Sequence, residues 1–543
     1  MDCSAPPPST PPSAPLTLPD TLTEVTRNVL WLANATATAL HRLPGSAVVV
    51  RYVRSSHQND PVRTIIELLL ALLAVRYILA PKYSPRKQGN HLPLSDEEVD
   101  ELIDEWTPEP LVEEQPERMK LAQNLPVLHR EAPTGPKTKL CDGRIVTNLA
   151  NYNHYNFSND PAFVDAAVAT IRDYGVGPCS APGFIGTFDV HTKLESDIAA
   201  HFGTEDTVVY SQSFSTISSV ISAFCKRGDI IVADRAVNFS IRKGIQASRS
   251  IVRWYEHNDM EDLDRVLAKL VSERRPLTRR FIITEGLSEN VGDMADVPRL
   301  LELKHKYKFR LVLDETWSYG ILGRTGRGVT ELQNVDATNI DIIVGSLAGA
   351  MASGGGFCTG YRIMVEHQRL NSPAVTFSAS LPMFLATTAS AVIARLQGPD
   401  GAKALQTLQE RIESLRQQLD RSEWVTCVSA PGNPVLHLTF KAQHVQNRRL
   451  TRPEQEALLQ ECVDECLNNH SIIVTRLKSM PIMDGLHPRD AAREYQPEPT
   501  LKVSASAALS KKETEKAGTA IRHAITAVMK RTKSQYGTAP EIR

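Results

Sequence analysis

The chain has 543 residues, 42% of them hydrophobic, and carries 61 Lys+Arg against 62 Asp+Glu for a net charge of −1. That balance, without a long basic run, excludes nucleic acid as the main partner, and the length suggests about two to four domains. Eight cysteines without a CxxC pair or a His/Cys ligand spacing exclude a disulfide scaffold and leave no metal site to expect; reduced thiols facing the cytosol fit.

The first 19 residues hold seven prolines among Ser, Thr and Ala, a composition that cannot offset its ordering entropy. Residues 1–60 therefore read as a disordered Pro-rich tail and an amphipathic segment, and no signal-peptide pattern is present. Val62–Ala80 (VRTIIELLLALLAVRYILA) is apolar but interrupted by Glu67 and Arg76. Its stretch 65–80 makes about 24 Å of helix against a hydrocarbon core of about 30 Å. The expectation is one membrane pass over 61–81, with an interfacial helix as the alternative. Arg51, Arg54 and Arg63 on one side and Lys82, Arg86 and Lys87 on the other leave its orientation open.

Residues 82–150 read as a polar, acidic linker and N-terminal segment containing Ser95-Asp96-Glu97-Glu98 and Glu113-Glu114. From Asn151 strands and helices alternate. Asp160-Pro161 opens a helix that stops before Gly175. The runs 207–210, 229–233 and 281–286 suit buried strands, and Asp259 caps a helix whose Leu263, Val266, Leu267 and Leu270 form one stripe. This alternation predicts crossovers and a mainly parallel sheet over 151–395. A helix over 402–419 and a strand over 435–440 then predict a smaller α+β domain at 396–543. Cys462 and Cys466 mark one face of a helix.

The chemistry concentrates in 310–360. Leu311-Val312-Leu313 ends in Asp314, at a strand's carboxyl end where open α/β sheets bind ligands. A second strand and the small-residue loop Ser346–Gly356 follow, without a lysine anywhere between Lys308 and Lys403. Upstream, Ser213 and Phe214 open a helix whose free N–H groups suit an anion such as a cofactor phosphate, or plain Ser/Thr capping.

These motifs resemble those of the α-oxoamine synthases, fold-type I enzymes that use pyridoxal phosphate (PLP) to condense acyl-CoA with an amino acid. Asp314-Glu315-Thr316-Trp317-Ser318-Tyr319-Gly320 is similar to the family's Asp-(Glu/Asp)-Ala-His-Ser-x-Gly, with Trp317 in place of a histidine. Gly349 stands where the Schiff-base lysine is expected. Asn238 stands where a histidine stacks on the cofactor. Lys502 stands where an arginine grips the substrate carboxylate, and it lacks the bidentate fork.

With the scaffold kept and these positions changed, the sequence resembles the non-catalytic branch of that family, the first subunits of heterodimeric serine palmitoyltransferases. Tyr174–Cys179 and Gly183-Phe184-Ile185-Gly186-Thr187-Phe188-Asp189-Val190-His191 are its most specific matches, within a resemblance spanning about residues 95–530. The resemblance implies an aspartate-aminotransferase-like fold with an N-terminal membrane helix at the endoplasmic reticulum, the large domain facing the cytosol. It implies a partner, the catalytic second subunit, that holds PLP covalently, with small regulatory membrane subunits besides. It implies that L-serine and palmitoyl-CoA condense in the complex to 3-oxosphinganine, the first step of sphingolipid synthesis. Asp314, Ser213, Phe214, Ser378 and Ser380 would be vestigial cofactor contacts or contacts across the interface. Cys179, Gly183, Phe184 and Gly186 would lie at that interface, Cys179 as a packing position. Two other readings stay open: an autonomous synthase using Lys306 or Lys243, and a membrane scaffold without any catalytic contribution.

Overall fold

The computed structural model describes residues 31, 38, 45–80, 94–106, 126–128, 135–273, 278–480 and 494–532. The Pro-rich tail, the basic cluster at Lys82, Arg86 and Lys87, and Glu113-Glu114 lie outside them. The chain forms two compact units, Met1–Val112 and Glu113–Arg543.

In the first unit a helix spans Ser46–Asn59, and Asp60 then caps a second one, Pro61–Leu79, by accepting a hydrogen bond from the Arg63 N–H at 3.2 Å. Pro61 suits the first helical position because its missing N–H would have no partner there. The second helix exposes apolar side chains on every side, Ile65, Ile66, Leu69, Leu72 and Leu73 among them. Arg63, Glu67 and Arg76 interrupt it, and among the described residues no helix is long and apolar enough to cross a membrane. The expected helix is present; a full pass is not shown among the described residues. Asp96–Glu105, read as acidic linker, is also a helix: Ser95 and Glu98 form a reciprocal capping box.

The second unit is built on a seven-stranded sheet in the order β3-β9-β8-β7-β6-β4-β5. The strands are β3 (Asp206–Tyr210), β4 (Ile230–Asp234), β5 (Ile251–Tyr255), β6 (Arg280–Glu285), β7 (Arg310–Asp314), β8 (Ile342–Ser346) and β9 (Gly356–Gly360). Neighbours pair in parallel except β9, which is antiparallel to both β3 and β8. Because successive side chains point to opposite faces, Ile230 and Val232 enter one apolar cluster while Ile231 and Ala233 enter the other. Burial on both faces explains why these strands read as unbroken apolar runs. Asp160 caps the helix Pro161–Tyr174, which ends at Gly175 with φ +83°, a conformation only glycine takes without strain.

The C-terminal part carries β10 (Val425–Cys427), β11 (Val435–Phe440), β13 (Thr475–Arg476) and β14 (Leu501–Ser504) in an antiparallel sheet of order β10-β11-β14-β13. Helices Pro399–Leu419, Arg452–His470 and Lys511–Arg531 flank it, with Cys462 and Cys466 buried on one face of the second. One boundary moves. Lys137–Lys139 (β1) and Ile145–Asn148 (β2), placed in the linker by sequence, pair antiparallel, and β2 pairs in parallel with Ile472–Ile473 (β12). Leu140, Val146 and Leu149 are buried there, so the folded body begins before residue 151.

Candidate functional site

β6 and β7 end side by side in parallel register, which sets Glu285 opposite Asp314 at the carboxyl edge of the sheet. Both carboxyls are buried, and Asn238 bridges them. Its Nδ2 donates to Glu285 Oε1 at 3.0 Å and to Asp314 Oδ2 at 3.2 Å, and its backbone N–H donates to Glu285 Oε2 at 3.0 Å. The other Asp314 oxygen accepts from the Thr316 N–H at 3.0 Å. Burial pushes both carboxyls above their ordinary range; for Glu285 the neighbouring Asp314 charge adds to it, while the Thr316 and Asn238 hydrogen bonds oppose it at Asp314. Glu315, next in sequence, faces elsewhere and accepts from the Val329 and Thr330 N–H groups and from the Ser318 hydroxyl, holding the Gly-rich loop closed.

Gly349 lies at the start of a short 3-10 turn with φ +65°. A Cβ there would meet Tyr152 Cβ at 3.3 Å and the Tyr152 carbonyl at 3.4 Å. The Tyr152 ring meets Trp317 edge-to-face at 4.8 Å, and the Lys502 ammonium lies 5.6 Å from the centre of the Trp317 ring. Lys502 is buried on β14 and donates to the Glu289 carbonyl at 3.3 Å. Burial lowers its pKa, against the pull of Glu289 and Glu285. His437, paired with Lys502 across the strands, is held neutral by burial, its pKa pushed down to about 3. The space left among Glu289, Trp317, His437 and Lys502 is about 10 Å³, enough for one water at most.

The helix start expected to suit an anion, that of Ser213–Phe224, opens beside this loop, and Gln212 gives it no side-chain cap. Ser213 Oγ donates to Ser346 Oγ at 2.8 Å, and Ser211 Oγ lies 2.9 Å from Ser378 Oγ. Ser378 and Ser380, expected to reach toward another subunit, both bond within the chain: Ser380 donates to the Ser180 carbonyl from its N–H at 2.9 Å and its hydroxyl at 3.4 Å. These contacts tie the 376–380 segment to the 175–188 loop. The two segments and the helix start leave Val176, Phe184, Ile185, Phe214 and Phe377 exposed, Ile185 at 85% and Phe377 at 86%. Gly183 has open space around it, whereas a Cβ on Gly186 would strike the Ser180 carbonyl. Cys179, expected as a packing position, is exposed with φ +52°.

Against PLP, the fit is incomplete. The retained parts are Asp314 and the Ser213 helix start. The loop offers no lysine amine, Asn238 is engaged by the Glu285 and Asp314 carboxyls and the Ile241 N–H, and Tyr152 closes on Gly349. Of the other lysines considered from sequence, Lys306 pairs with Asp264 at 2.8 Å on an exposed surface, and Lys243 lies 5.3 Å from the Phe239 ring. Sequence reasoning missed Tyr152 and Glu285. A signal for Glu285 existed, a second acidic strand end matching Asp314; Tyr152 sits in an irregular stretch that carries none.

Comparisons with known proteins show the family and the fold. The family Aminotransferase class I and II matches residues 144–521. Serine palmitoyltransferase 1 of Saccharomyces cerevisiae is 36% identical over 538 residues, covering 90% of this chain and 93% of its own length. Long chain base biosynthesis protein 1b of Oryza sativa subsp. japonica is 40% identical over 418 residues, 76% of this chain and 84% of its own. A solved structure of SPT with a PLP internal aldimine shares the fold, with a TM-score of 0.64 at 21% identity over 76% of this chain and 96% of that one.

Proposed function

Because this chain belongs to the serine palmitoyltransferase 1 family, within the class I and II aminotransferases, we propose that it is the non-catalytic subunit of a serine palmitoyltransferase. The complex condenses L-serine with palmitoyl-CoA to 3-oxosphinganine, releasing CO₂ and CoA. PLP supplies the electron sink from a lysine of the catalytic partner subunit. One observation carries this reading: position 349 is a glycine at φ +65°, packed against Tyr152, in a loop without a lysine.

The exposed apolar side chains Val176, Phe184, Ile185, Phe214 and Phe377 support a partner surface. They flank the Ser211–Ser378 contact, so a subunit docked there would receive this chain's serines beside its own cofactor. The helix Pro61–Leu79 supports membrane attachment, since a helix apolar on all sides needs lipid or protein around it. Its Arg63–Glu67 ion pair at 2.9 Å offsets two of the charges, and Arg76 in the last turn reaches a headgroup layer. The proposed location is the endoplasmic reticulum membrane, with the larger unit in the cytosol. Purifying the chain alone and with its partner, then assaying serine–palmitoyl-CoA condensation, tests the proposal. Turnover by the lone chain would overturn it.

A further inference from the structure

A cavity of about 490 Å³ opens near the β5 edge of the large sheet, between the turn after β5, the end of β11 and residues 495–500. Its walls include none of Asn238, Asp314, Trp317, Gly349 or Lys502. Val291, Phe440, Val445 and Pro499 make it largely apolar, and its size falls in the range of about 300–1,000 Å³ usual for small-molecule sites.

The charges on its wall are one-sided. Among the described residues no lysine or arginine lines it. His257 does, but its Nδ1 meets Asp234 at 2.9 Å and its Nε2 meets Asp293 at 2.8 Å, so two carboxylates outweigh its charge and neither nitrogen faces a ligand. Burial, with Asp234 and Glu498 nearby, pushes the Tyr495 hydroxyl up to about 12 and keeps it neutral. Arg242, behind Tyr495, is taken up by Glu494 at 2.7 Å and by the Trp254 ring. Glu498 is exposed, and its carboxylate has no hydrogen bond or ion pair among the described residues. A carboxylate without a partner among the described residues, in a wall shared with Phe440 and Tyr495, favours a cation.

We infer that this cavity binds an apolar molecule bearing a protonated amine, its body between Phe440, Val445 and Pro499 and its ammonium at Glu498. Carboxylates and phosphorylated molecules of the same shape are repelled there.

Isothermal titration of the full-length chain with 4-phenylbutylamine, 4-phenylbutanoate and 4-phenylbutanol tests this. The amine is expected to bind about 10-fold more tightly than the carboxylate, the scale set by a partly exposed charge attraction in place of a repulsion. Glu498→Lys should reverse that order, and Val445→Trp should abolish binding of all three. Absence of amine binding, carboxylate binding as tight as the amine's, or an order unchanged by Glu498→Lys would overturn the inference. Glu498 is exposed, so its charge reversal spares the fold and decides the matter even if Val445→Trp disturbs packing.

Discussion

Asn238 and Gly349 carry the proposal that the cofactor is held by another subunit. Asn238 donates its amide to two buried carboxyls and accepts from the Ile241 N–H, so Asn238→Ala leaves Asp314 Oδ2 without that donor, uncaps the Ile241 N–H and should cost about 2–3 kcal/mol in urea unfolding. Gly349→Lys alone should yield neither lysine-bound PLP absorbance nor turnover in the isolated chain, and should lower stability by about 1–2 kcal/mol, since lysine would enter at φ +65° against Tyr152. His257 makes a third test. Burial disfavours its charge, but hydrogen bonds to Asp234 and Asp293 and their negative charges win and push its pKa up to about 10. A folded pKa above the unfolded 6.5 means that the stabilisation is complete below about pH 6.5 and fades as pH rises toward 10. The stability difference between wild type and His257→Gln should therefore shrink across that window; a constant difference would show that the clamp is uncharged. At this scale Asn238, Trp317, Gly349 and Lys502 stand out in sequence only as departures from the motifs that carry the resemblance. What packs against them does not: Tyr152 reaches the loop from about 200 residues upstream, and no local pattern announces such a contact.

Among the elements, the central strands were legible because burial on both faces leaves continuous apolar runs. Ile230–Asp234 and Arg280–Glu285 match the sequence expectation to within a residue or so. β1, β2 and β12 were not, for strands of three, four and two residues carry no period to read. Their pairing joins residues 137–148 to 472–473, and only tertiary contact reveals it. The consequence can be measured. Leu149 is buried in the main cluster, so Leu149→Ala should cost about 2–5 kcal/mol, and a chain begun at residue 151 should unfold at lower denaturant than one begun at 135. The apolar helix Pro61–Leu79 was placed well by its composition, and its charges set the limit on how it meets a bilayer.

Across the whole molecule, the seven-stranded sheet carries at one edge a surface of exposed apolar side chains. The loop at 175–188 and the segment at 376–380 are locked together through Ser180 and Ser380, and they present aromatic and aliphatic side chains to solvent. If the proposed partner surface lies here, Ile185→Asp or Phe377→Asp should leave the isolated chain folded and abolish co-purification with the proposed catalytic partner, because a charge buried in an apolar interface is left unpaired. The central claim is that this chain contributes structure to a reaction whose covalent chemistry occurs on another subunit. The most direct test is absorbance of lysine-bound PLP, with serine–palmitoyl-CoA turnover, measured on the chain alone and on the reconstituted complex. Both signals should be absent from the lone chain and present in the complex. A PLP–lysine band with turnover from the lone chain would contradict the account and place the catalytic amine on this polypeptide.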